Sequence, residues 1–167
     1  MQSFPPTYII RHRKENLKKC SLAGLEGLSS FRFLPYPLLN NLPDLSNYLL
    51  LAIDGQPLER ADAAKGLLLL DATWRYADKM RGFVDAHYSL ETRSIPPEYR
   101  TAYPRKQTAC TDPERGLASV EALYIAYKIL GRETEGLLDH YYWKKEFLSQ
   151  IANRVSNPID FNSLKNL

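Results

Sequence analysis

Cysteine is scarce in this chain: 167 residues hold two, Cys20 and Cys110. Neither belongs to a Cys-x-x-Cys pair, which excludes a thiolate zinc site of the usual spacing, and two distant thiols suit a reducing compartment. Three scattered histidines show no metal-ligand spacing either, so no metal is expected. Long apolar runs are missing as well. The longest, Gly66-Leu67-Leu68-Leu69-Leu70, falls far short of the ~20 residues a bilayer requires. The opening MQSFPPTYII lacks the basic start and apolar core of a signal peptide. These absences point to a cytoplasmic protein. They leave the oligomeric state open, with a monomer sufficient.

What is present suits one globular domain, or two small lobes sharing a core, since 44% of residues are hydrophobic and 25% charged. A chain of this length buries roughly two thirds of its unfolded surface and needs no disulfides. The 22 Lys and Arg against 19 Asp and Glu give a net charge of +3, which permits an anionic partner. Distribution says more. Arg11, Arg13, Lys14, Lys18 and Lys19 surround His12, and Arg100, Arg105 and Lys106 form a second group. Such clusters are the footprint of nucleic-acid binding, because each cation that meets a phosphate releases a counterion. The plainer alternative is a solvated charged surface.

Short apolar runs over residues 8–11, 31–34, 49–53 and 67–71 read as strands, bounded by Pro, Gly or charge. The leucine runs show no alternation, as in a parallel sheet covered on both faces. Between the strands, residues 17–28, 57–65 and 74–84 read as helices. Residues 94–116 are rich in turn formers and read as irregular structure. Val120, Leu123, Tyr124, Tyr127 and Leu130 then mark a helix that Gly131 closes. Residues 133–155 continue as one bent helix or two short ones, and the tail from 156 is expected to be loose. The organisation expected is therefore an α/β lobe over 1–95, a mainly helical lobe over 96–155, and the tail.

Two constellations carry candidate chemistry. In an open α/β sheet the ligand lies beyond the carboxyl ends of the strands, where Asp71 emerges from the most apolar run. A carboxylate there accepts from ribose hydroxyls or an amino group, or takes a proton, and Trp74 offers a flat face to a cation or base. Structurally, Asp71 and Trp74 would instead be a helix cap and core filling. Farther on, Ser119 is placed to cap the 120–130 helix, whose free N–H groups suit an anionic ligand group. Glu121 is either a dipole-favoured surface acid or a buried contact to a loop. Cys20 reads as a packed small residue beside Ser21 rather than a nucleophile.

The string Leu70-Asp71-Ala72-Thr73-Trp74-Arg75 resembles the Asp-x-Thr-Trp signature of DTW-domain proteins. Arg105-Lys106-Gln107, followed by Leu117-Ala118-Ser119-Val120-Glu121-Ala122, is similar to that family's Arg-Lys-Gln and Leu-Ser-Thr-x-Glu-Ala elements. Arg11-His12-Arg13-Lys14-Glu15 resembles its His-Pro-Arg-Glu element, with Arg13 in place of the proline. Lys18-Lys19-Cys20-Ser21, and Leu137 through Leu148, resemble a motif and the C-terminal helix of the ribosomal-RNA aminocarboxypropyltransferases of eukaryotes and archaea. The N-terminal cysteine cluster of many DTW proteins has no counterpart among these residues.

The resemblance implies a SPOUT-like, knotted α/β fold with a mostly parallel sheet, helices on both faces and a C-terminal helical lobe. It implies transfer of the 3-amino-3-carboxypropyl (acp) group of S-adenosylmethionine to N3 of a uridine or pseudouridine in RNA, with tRNA narrowly ahead of rRNA. It further implies that Ser21, Asp71 and the Leu70 backbone grip the donor's ribose or nearby polar groups, while Trp74 shields the methyl. Ile95 and the Ser119 helix start would line the adenine and amino-acid ends. Asp71, then Glu121, are the candidate general bases, and Arg11, His12, Arg13, Lys14, Arg75, Arg105 and Lys106 the RNA contacts. The alternatives are a SPOUT-type RNA methyltransferase and a non-catalytic RNA-binding module.

Overall fold

Unbroken leucine runs have no polar face to turn to solvent, and the chain covers both sides of them. In the computed structural model, which describes residues 3–37, 41–102 and 116–155, five strands form one all-parallel sheet. They are β1 (Thr7–His12), β2 (Phe31–Tyr36), β3 (Tyr48–Pro57), β4 (Gly66–Asp71) and β5 (Glu91–Ser94), in the order β2-β1-β4-β3-β5. Three helices accompany them: α1 (Trp74–His87), α2 (Ser119–Leu130) and α3 (Lys144–Val155). Among the described residues, no helix is long and apolar enough to cross a membrane.

The period-two rule for strands assigns the leucines to opposite faces. Ile9, Leu49, Leu51, Leu67 and Leu69 pack with α2, through Val120, Leu123 and Ala126, and with Phe147 of α3. Ile10, Leu50 and Leu68 turn the other way, onto Met80 and Val84 of α1. Helices thus lie on both faces, and α2 and α3 share one core with the sheet.

Two expected helices are absent. Residues 17–28 form turns and one 3-10 turn, Leu25–Gly27, because only Leu22 and Leu25 of that apolar stripe are buried while Leu17 and Leu28 lie exposed. Residues 57–65 hold the end of β3 and the 3-10 turn Arg60–Asp62. Residues 133–155 contain turns followed by the single helix α3. The strand β5 was not expected, since Glu91-Thr92-Arg93-Ser94 has no apolar residue. It pairs with β3 across an irregularity, where Leu51 and Gln56 both register with Arg93. Gly55 permits this: a Cβ there would stand 2.6 Å from the backbone of Thr92 and Arg93. The 156–167 tail lies outside the described residues.

Strand order decides where a ligand can sit. The chain leaves β1 toward β2 on one side, and leaves β4 toward β5 on the other. Loops that diverge at the carboxyl ends of neighbouring parallel strands open a crevice between them. The register places Arg11 of β1 beside Asp71 of β4 at that crevice.

Phe147 is 1% exposed and meets Tyr124 edge-on at 5.8 Å. We expect Phe147→Ala to lower unfolding free energy by about 3–5 kcal/mol, read from urea denaturation. A loss below about 1 kcal/mol would show that α3 is not part of the sheet's core.

Candidate functional site

Arg11 and Asp71 join the two strand ends. Arg11 donates Nε–H to Asp71 Oδ2 at 2.9 Å and Nη1–H to Glu26 Oε1 at 2.9 Å. Its guanidinium lies 4.4 Å from the centre of the Phe33 ring on β2. Glu26 is fixed in turn by the Gly24 amide, which donates to Oε2 at 2.8 Å. Asp71 is 4% exposed, and its Oδ2 also accepts from the Cys20 thiol at 3.3 Å. Among the described residues, all of the Asp71 hydrogen bonds fall on Oδ2. Among those residues Oδ1 has no hydrogen-bond partner.

Burial and the neighbouring Asp71 charge push the Cys20 thiol up to about 12. Cys20 is accordingly a neutral donor to Asp71, as a packed residue would be. Glu15, Cys20 and Asp71 bring candidate ligand atoms within 4.8 Å of one another. A protonated thiol and a carboxylate already paired with a guanidinium make a poor donor set for a divalent cation.

The α2 end is tied to the same crevice. Ser21 Oγ accepts the Val120 amide at 3.2 Å, and in doing so satisfies one of the free N–H groups of the helix start. The cap position is Ala118 rather than Ser119, which is the first helical residue. Glu121 is completely buried and accepts three hydrogen bonds: from Ala118 N at 2.7 Å, Thr101 Oγ1 at 2.6 Å and Ala102 N at 2.8 Å. Both of its oxygens are engaged, so the loop after β5 is bolted to α2. Ile95, in that loop, packs partly buried against the α2 side of the core, and Leu70 against the α1 side.

The basic residues divide by exposure. Arg13, Lys14 and Arg75 are exposed, and Lys14 Nζ lies 5.9 Å above the Tyr76 ring. Arg11 points inward. His12 is buried, stacks on Tyr76 at 4.0 Å, and accepts the Lys14 amide on Nδ1 at 3.1 Å. Burial, then the charges of Lys14, Arg13 and Lys79, lower its pKa, so it stays neutral near pH 7 with its proton on Nε2. Trp74 opens α1 three residues after Asp71; its side chain, like Arg105 and Lys106, lies outside the described part of the structure.

Beside the Arg11–Asp71 pair, a groove of about 300 Å³ opens between the ends of β1 and β2, whose lining includes Arg11, His12, Arg13, Glu15, Leu17 and Phe33. Sequence reasoning singled out neither Glu15 nor Phe33. The only signal for Glu15 was its place in the Arg11–Glu15 element, and Phe33 looked like any strand aromatic.

Two outcomes follow from this geometry. Arg11→Met strands a buried carboxylate and should cost about 3 kcal/mol of stability at neutral pH, measured by urea denaturation; a change under about 1 kcal/mol would contradict the pairing. Because alkylation needs the thiolate, native Cys20 should resist iodoacetamide at pH 8.5 while the unfolded chain reacts. Peptide mapping that found equal labelling in both states would contradict its elevated pKa.

No family model matches the chain, and no curated protein matches it. Among solved structures it is similar to the SAM-dependent rRNA:acp-transferase Tsr3 from Vulcanisaeta distributa, with a TM-score of 0.64 and 19% identity over 93% of this chain and 83% of that one. At that identity the likeness is one of fold, and it extends over nearly the whole chain.

Proposed function

We propose that this protein is an RNA-modifying transferase that moves the acp group of S-adenosylmethionine to N3 of a uridine or pseudouridine, acting in the cytoplasm. The observation that carries the reading is a buried carboxylate, one oxygen of which has no partner among the described residues, at the switch point of a fold like that of an acp-transferase. The SPOUT-like, knotted character of the fold and a division into a 1–95 lobe and a 96–155 helical lobe belong to the same proposal.

The residues present fit a sulfonium donor. One guanidinium, Arg11, faces two carboxylates, Asp71 and Glu26, which leaves a negative excess suited to a cation. Asp71 Oδ1 would accept from a ribose hydroxyl or the donor's amino group, while Arg11 keeps the carboxylate from rotating away. Ser21 already accepts from Val120 and retains its own proton to donate. Leu70, Ile95 and Trp74 would form the walls, and the Ser119 end of α2 would face the donor's carboxylate. Binding in this way selects which carbon next to sulfur meets the acceptor, and such orientation supplies several kcal/mol of the barrier.

The roles of three candidate residues change. Glu121 holds the 101–102 loop against α2, and we assign it structure in place of proton transfer. Arg11 and neutral His12 position the site, which leaves Arg13, Lys14 and Arg75, with Arg105 and Lys106, for phosphate contacts. The DTW-like strings favour tRNA as acceptor; the fold neighbour, by its name, acts on rRNA.

Donor labelled separately in the methyl and the methionine carboxyl carbon, incubated with tRNA and with rRNA, tests the reading. Carboxyl label should enter RNA while methyl label leaves in methylthioadenosine. Methyl label in RNA would make the protein a methyltransferase, and no donor binding by calorimetry would leave only RNA binding. Asp71→Asn removes a charge-assisted contact and should weaken donor binding about 10- to 100-fold; unchanged affinity would remove Asp71 from the site.

A further inference from the structure

An acceptor nitrogen that carries a proton needs somewhere to send it, and Asp71 is poorly placed to receive it. Its Oδ2 is held by Arg11 and Cys20, and on the reading above its Oδ1 holds the donor. Glu26 is held by Arg11 and the Gly24 amide; the third carboxylate at this point of the fold is Glu15. It follows the end of β1, lies half-buried in the wall of the 300 Å³ groove, and approaches Asp71 and Cys20 within 4.8 Å. Unlike Asp71, Glu15 forms no salt bridge among the described residues.

Resting on the function proposed above, we infer that the groove between β1 and β2 receives the acceptor nucleotide and that the Glu15 carboxylate is the catalytic base that takes the N3 proton. The groove suits a single base: Phe33 and Leu17 are apolar walls, and Arg13 stands exposed at the same opening for a phosphate. The step balances without a further reactant. The N3–H bond breaks and its proton goes to Glu15; the nitrogen pair forms a bond to the donor's γ-carbon. The carbon–sulfur bond breaks with its electron pair on sulfur, releasing methylthioadenosine, and Glu15 returns its proton to solvent through the open groove.

The groups facing Glu15 agree with this role. Burial and the Asp71 charge raise its pKa above the ordinary carboxylate value, against the opposing pull of Arg11 and the Thr73 backbone N–H; Arg13 and the neutral His12, with its lowered pKa, line the same groove, and the Cys20 thiol is neutral. A raised pKa brings a carboxylate closer to the pH at which a base is effective. The sign is fixed: the active form is the carboxylate, so activity rises with pH through the raised Glu15 pKa and then levels.

Single-turnover transfer of carboxyl-labelled donor to tRNA and rRNA, measured across pH for the wild type, Glu15→Gln, Glu15→Asp and Asp71→Asn, tests the inference. Glu15→Gln should bind donor like the wild type by calorimetry, yet transfer about 10²- to 10⁴-fold more slowly at neutral pH. Its rate should keep climbing with pH, as N3 ionises unaided, where the wild type levels. Glu15→Asp should restore part of the rate and the levelling, and Asp71→Asn should lose donor affinity but keep the levelling. Wild-type transfer accompanied by an unchanged rate and profile in Glu15→Gln would overturn the role of Glu15 alone. Wild-type donor binding with no transfer to any RNA would overturn the proposed function, and the base with it.

Discussion

The contact on which the site depends is the ion pair between Arg11 and Asp71, formed where β1 and β4 end side by side. A carboxylate this deeply buried is costly to hold alone, because its charge has left water. The guanidinium meets that cost and is itself held on three sides, by Asp71, Glu26 and the Phe33 ring. The pair is better understood as an orienting device than as a source of stability, since desolvating two charges offsets most of their attraction. It fixes which Asp71 oxygen faces the crevice, and through Glu26 it anchors the turns that carry Cys20 and Ser21.

Around this pair the fold supplies rigidity from both faces of the sheet. Side chains one residue apart on β1, β3 and β4 commit to opposite cores, so the strand ends cannot shift without disturbing both. The α2 start is drawn to the same place by Ser21 and by the three hydrogen bonds of Glu121. A buried acid that is fully bonded contributes by fixing a loop, and Glu121 fixes the loop that carries Ile95. At the far end of the sheet, the Thr7 and Tyr127 hydroxyls meet at 2.6 Å and tie β1 to α2. The groove side carries the exposed residues Arg13, Lys14 and Leu17.

Much of the sheet was legible in the residues. The strand at 67–71 was recognisable to within one residue, because an unbroken apolar run has few other uses, and the short runs at 8–11 and 31–34 to within two. Edge strand β5 was not, since its residues are polar and it is held by backbone pairing to β3 rather than by burial. The apolar stripe of residues 17–28 looked helical, but tertiary packing takes up Leu22 and Leu25 and leaves Leu17 and Leu28 outside. Asp71 followed from the rule for strand ends. Its pairing with Arg11 did not, since sixty residues separate them and only the sheet register brings them together. For the same reason a basic cluster read as one surface turned out to be divided: Arg11 and His12 face inward, while Arg13 and Lys14 face out.

The measurement closest to the central claim is a crystal structure of the protein with S-adenosylmethionine bound. The donor is expected in the crevice between β1 and β4, with a polar group on Asp71 Oδ1 and the methionine γ-carbon directed toward the groove of Glu15 and Phe33. A donor with its methyl directed into that groove, or one bound away from Asp71, would contradict it.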